Sequence, residues 1–135
     1  MLEKYESKQQ QIRKPAEMIY AVLSDFNNFT PIVGDKVEDW TVNGDECSFK
    51  AKGFAVTLHM TEKVPGQLIK IEASDSSPMG FTLWVQMKEL EPLDTRIRLV
   101  LHAEMNMMIK MMVGKKIQPA LDQIAEQMAA TFNAM

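Results

Sequence analysis

The chain has 135 residues, of which 46% are hydrophobic and 24% charged, and its net charge is −3. That is enough for one domain over residues 1–135 with a real core. It excludes a nucleic-acid module, which would show a basic stripe.

Charge begins at the third residue, which does not suit a signal peptide. The most apolar runs, Phe81–Val85 and Met107–Val113, are too short to span a bilayer, so no integral membrane association is expected. The single cysteine, Cys47, cannot close an internal disulfide and fits a reducing compartment. A cytoplasmic protein is the expectation.

Residues 4–13 alternate weakly and read as a strand at a sheet edge. If Tyr5, Ser7, Gln9 and Gln11 face inward, they offer hydrogen bonds to a polar ligand head. The period then changes. Met18, Ile19, Val22 and Leu23 recur at helical spacing, and Pro15 suits the first helical turn. Asp25, Asn27 and Asn28 break the pattern. A second short helix or turn carries Phe26, Phe29 and Ile32, with Pro31 and Gly34 at its end.

From Lys36 onward the period is two. Asn43-Gly44 joins the first two strands as a hairpin signal. The next strand places Phe54, Val56, Leu58 and Met60 on one face, and Pro65-Gly66 turns the chain. Ile69, Ile71 and Ala73 share the face of the following strand. Asp75–Pro78 turns again, and Phe81, Leu83, Val85 and Met87 line up. After Glu91–Asp94 come Ile97, Leu99, Leu101, Ala103 and Met105. The result is an antiparallel meander with one apolar face that needs a cover.

The last segment supplies that cover. Val113, Ile117, Leu121, Ile124, Met128 and Phe132 recur every three or four residues. A helix over 108–133 is roughly 39 Å long at 1.5 Å per residue, and a ten-residue strand spans roughly 33 Å. One helix can therefore cross the whole sheet. Gly114 and Pro119 inside it predict a bend.

The expected fold class is α+β. About seven strands form a curved antiparallel sheet wrapped around a long C-terminal helix, with two short helices after the first strand. This order resembles the helix-grip fold of the START-like superfamily (SRPBCC). That group includes the birch-pollen allergens and the polyketide cyclase/dehydrase-like branch. The stretch 14–33, with its proline, helix, Ser24-Asp25 and aromatic turn, is similar to the superfamily's first-helix signature. Residues 42–53 look like its second and third strands, and 114–128 like its terminal helix.

The resemblance implies a cavity between sheet and helix that takes a small hydrophobic or amphipathic ligand: a lipid, sterol-like, quinone or polyketide-like molecule. The expected walls are Phe54, Val56 and Leu58, then Ile71, then Phe81, Leu83 and Val85, then Leu99 and Leu101. Val113, Ile117 and Leu121 form the lid. Met105, Met108 and Met112 form the mouth, where flexible thioethers adapt to changeable apolar partners. The alternatives are a cyclase, dehydratase or hydrolase working in the same cavity, and a protein-interaction module.

No catalytic set, cofactor or metal site is legible. His59 and His102 fall on the polar side of their strands, with His59 opposite Glu72. Cys47 shares parity with Phe49 and reads as a small core residue. Turn acids such as Asp35, Glu38, Asp39, Glu89, Glu91 and Asp94 read as solvated charges. On the outer face, Leu68 and Val100 are expected beside Trp84, an apolar patch suited to a homodimer.

Overall fold

A computed structural model describes residues 2–33, 37–51, 54–73 and 80–135. The strands are β1 (Leu2–Glu6), β2 (Gln10–Ile12), β3 (Glu38–Asn43), β4 (Glu46–Ala51), β5 (Phe54–Val64), β6 (Leu68–Ala73), β7 (Phe81–Glu91) and β8 (Asp94–Glu104). The helices are α1 (Ala16–Leu23), α2 (Thr30–Val33) and α3 (Met107–Asn133), with a 3-10 turn over Phe26–Phe29 between the first two. The sheet is antiparallel in the order β1-β8-β7-β6-β5-β4-β3, and β2 pairs with β8 beyond β1.

The expected first strand is split, giving eight strands instead of seven. Ser7 causes the break. Its N–H donates to the Leu99 carbonyl (2.8 Å), and its Oγ accepts from the Leu99 N–H (2.9 Å). A side chain thus replaces one rung of the ladder, a local competition typical of serine. The break changes parity. Tyr5 faces the helix beside Gly114 and Ser7 is buried against Leu99, but Ile12 is the residue buried after the break. Gln9 instead lies near Gln86, Arg96 and Arg98 on the outer face. The expected inward quartet of Tyr5, Ser7, Gln9 and Gln11 therefore does not form.

The turns follow the sequence signals. The first hairpin centres on Gly44-Asp45, and Gly44 takes φ +60°. Gly66, in the next turn, takes φ +71°. Both values favour glycine because a Cβ would clash with the backbone there. The expected turn at Asp75–Pro78 lies outside the described residues, as do Gly34 and Asp35. Pro15 sits one position earlier than expected, at the N-cap of α1. The first amide of the helix, Ala16 N–H, donates to Glu89 Oε1 at 2.9 Å, so that turn acid has a structural task. Arg96 holds Asp94 in the same way (2.9 Å), and the Asp94 carboxyl sits below its usual pKa because of that hydrogen bond.

α3 lies against β1, β2 and β8, at one side of the sheet. Asn106 caps it by accepting from the Ile109 N–H (2.8 Å). The residues it buries are Leu121, Ala125, Ala129 and Phe132. The alanines matter most, because a methyl side chain lets helix and sheet approach closely. Three polar side chains then lock the seam. Gln118 donates to the Glu6 carbonyl (2.7 Å), Asp122 accepts from the Lys8 N–H (2.8 Å), and Asn133 accepts from the Arg13 N–H (2.7 Å). These bonds satisfy backbone groups that an edge strand would otherwise leave open. Gly114 lies inside the helix beside the Tyr5 hydroxyl, which would sit 3.9 Å from an added Cβ.

The core is packed at one end of the sheet. Ile12, Ile19, Phe26, Met60, Ile69, Val85, Met87, Ile97, Leu99 and Phe132 form it. Two tests of the seam follow. Ala125→Leu should cost about 1–3 kcal/mol in urea unfolding, because the added volume must push α3 off the sheet. The Lys8 amide donates to Asp122 and, with Gln118, holds that carboxyl below its usual pKa. A depressed folded pKa means that the contact stabilises the fold above the unfolded aspartate value, about 3.9. That contribution is lost as pH falls through the lowered folded value. The Lys8 amide shift in NMR should therefore titrate with a midpoint below 3.9, and the titration should vanish in Asp122→Asn.

Candidate functional site

Because α3 docks to one side, the middle of the sheet is not fully covered. Phe81 and Leu101 of β7 and β8 face Ile117, Ala120, Leu121 and Ile124 of α3 across a cavity of about 240 Å³. None of the six lining residues is polar. Leu58, Leu83 and Val56 continue the same face of the sheet and are half-buried. On the helix, Ile124 is 50% exposed although it belongs to the apolar stripe.

The expected wall residues divide into three groups. Phe81, Leu101, Ile117 and Leu121 line the cavity. Val56, Leu58, Leu83 and Val113 lie half-buried outside its lining. Ile71, Val85, Leu99 and Met105 are buried in tight packing. Phe54 lies on β5, and its side chain is outside the described residues. Met108 and Met112, expected at the mouth, are strongly exposed and do not line this cavity. Helical phase explains this: at about 100° per residue, they sit on the side of α3 opposite Val113 and Ile117. Sequence reasoning missed Ala120 and Ile124. Ile124 belongs to the apolar stripe, but the expected lid ended at Leu121. Ala120 carries no hydropathy signal strong enough to stand out.

A second, wider concavity of about 490 Å³ lies between β1 and the first turns of α3. Tyr5, Met107, Lys110, Met111, Gly114 and Lys115 line it. Lys110 Nζ pairs with Glu3 Oε1 at 2.5 Å, and that bond raises the lysine's pKa.

The remaining candidates have structural settings. Cys47 is buried on the inner face, and burial pushes its thiol pKa up to about 11. His59 stands opposite Glu72 in the register, as expected, but its ion pair (3.5 Å) is with Glu46 on the other neighbouring strand. His102 packs edge-on against Trp84 on the outer face, with ring centres 4.7 Å apart. Val100 stands directly beside Trp84, whereas Leu68 pairs with Gln86. Lys70 is the residue opposite Trp84, and its Nζ lies 5.8 Å from the ring centre. A cation therefore interrupts the expected apolar patch. Among the described residues, no group of three or more His, Cys, Asp or Glu side chains could hold a metal ion. Also among them, no helix is long and apolar enough to cross a membrane.

No protein-family model matches the sequence, and no curated protein matches it. Solved structures do match in shape. A point mutant of norcoclaurine synthase from Thalictrum flavum, in complex with a transition-state analogue, has a TM-score of 0.77 at 10% identity. The match covers 98% of this chain and 94% of that one. A conserved protein from Geobacillus kaustophilus gives 0.72 at 11% identity, covering 99% and 95%. A protein from Deinococcus radiodurans gives 0.63 at 16% identity, covering 98% and 95%. The fold is the helix-grip fold. At these identities the likeness establishes the fold and carries no activity with it.

The raised thiol pKa gives a direct test. Cys47 should resist iodoacetamide in the native protein at pH 8, because the thiolate is the reacting form. Mass spectrometry should show full alkylation once the protein is unfolded in guanidinium.

Proposed function

We propose that the chain binds a small apolar or amphipathic molecule between the sheet and α3. The observation that carries this reading is the cavity lined by Phe81, Leu101, Ile117, Ala120, Leu121 and Ile124. It sits where large apolar side chains of both walls remain part-exposed. Burying them against a ligand is favourable by roughly 25 cal/mol per Å², before ordering costs. The volume limits the occupant. About 240 Å³ lies below the roughly 300–1,000 Å³ of common ligand sites. A single aromatic ring or a short acyl chain fits, and a larger lipid or polyketide-like molecule would protrude past Ile124. The resemblance to the polyketide cyclase/dehydrase-like branch supports an apolar ligand.

An enzyme of this fold exists among the structural neighbours: norcoclaurine synthase is solved in complex with dopamine and hydroxybenzaldehyde. Among the described residues the cavity wall carries no ionisable group, which favours binding without chemistry.

The test is a titration with fluorescent apolar probes, monitored beside native mass spectrometry of the purified protein. Ala120→Trp places a large side chain at the rim of the cavity. It should weaken probe binding by about tenfold or more, since it removes most of the volume, while the melting temperature holds. Probe affinity equal to that of the wild type would remove the cavity as the binding site.

A further inference from the structure

Met107, Met108, Met111 and Met112 are 72%, 70%, 80% and 66% exposed, although thioether side chains favour burial. They lie on one side of α3. At about 100° per residue they span an arc of roughly 140°, facing away from Ile109, Val113 and Ile117. Lys115 falls within that arc one turn later. Lys116 and Lys110 flank it on either side. From Met107 to Leu121 the helix carries these three lysines and no acid, in a chain whose net charge is −3. Lys110 is paired with Glu3, while among the described residues Lys115 and Lys116 make no ion pair.

We propose that this methionine–lysine face of α3 docks the protein on anionic lipid bilayers. The charge is complementary to an acidic surface. Met107 and Met111 border the cleft against β1, Met108 and Met112 stand free of it, and the exposed first turns can lie in the plane of a bilayer. Apolar side chains then enter the acyl boundary, and lysines reach the headgroups from the margins of the arc. The cleft between β1 and α3, with Tyr5, Lys110 and Lys115 on its walls, opens beside this face and can take a headgroup phosphate. Docking stands independently of whatever the apolar cavity holds, and is measured with no cavity ligand added.

The experiment is vesicle co-sedimentation of the full chain. One vesicle set is phosphatidylcholine with 30% phosphatidylserine by mole (a composition on the order of anionic leaflets); the other is phosphatidylcholine alone. The wild type should bind the anionic vesicles, bind the neutral ones at least about tenfold more weakly, and release as salt rises. Two variants separate the contributions. Lys115→Gln with Lys116→Gln should lose about 25-fold, at about fivefold per lysine near an anionic surface. Glutamine at positions 107, 108, 111 and 112 together should lose about tenfold or more. It keeps helix propensity close to that of methionine, and circular dichroism checks that the fold is kept. The proposal fails if the wild type leaves both vesicle types unbound, or if the four-glutamine variant binds as the wild type does. It also fails if sedimentation velocity shows a dimer that dissociates in the four-glutamine variant while vesicles are not bound. That result would assign the face to a second copy of the chain.

Discussion

The seam between α3 and the β1–β2 edge determines where everything else can lie. Ala125 and Ala129 bring the helix down onto the sheet, and Gln118, Asp122 and Asn133 fasten it to backbone groups of the edge. Neither device works alone. Alanines give close approach but little apolar area, and side-chain hydrogen bonds add only modest net stability each. Together they fix the helix laterally. A helix held at the edge cannot also cover the centre of a curved seven-strand path, so the centre is left partly open.

That single displacement produces two faces with different uses. On the inner side, the large residues of the stripe, Ile117 and Ile124, overhang Phe81 and Leu101 and do not interlock with them. Farther along the sheet, where α1 and the 3-10 turn add Ile19, Leu23 and Phe26, the core closes completely. On the other side of α3, the first turns extend past the seam. Their methionines are left in solvent with three lysines around them. The break at Ser7 belongs to the same arrangement. It shifts the parity of the edge so that Ile12 enters the core while Glu6 and Lys8 present backbone groups to the helix.

The sequence made the meander legible because alternation, turn glycines and strand length agree from Asp39 to Glu104. The register followed: His59 opposite Glu72, and Val100 beside Trp84. It made the site only half legible. Parity says which side chains face inward, and Phe81, Leu101, Ile117 and Leu121 line one cavity. It cannot say which inward residues are packed shut. Ile71, Val85 and Leu99 share the parity of Leu101 or Leu83, yet they are buried. Met108 and Met112 lie outside the cavity lining because helical phase turns them away from Ile117.

The sequence by itself determined the element order from α1 onward, the antiparallel pairing and the long amphipathic helix. These are local or pairwise properties, set by periodicity, turn chemistry and composition. Only the tertiary structure decided how far α3 sits toward the edge, and hence the cavity, the exposed methionines and the roles of Ala120 and Ile124. The lateral position of a helix depends on the sum of many contacts across distant segments. An alanine that admits close approach looks, in the linear chain, like any other alanine.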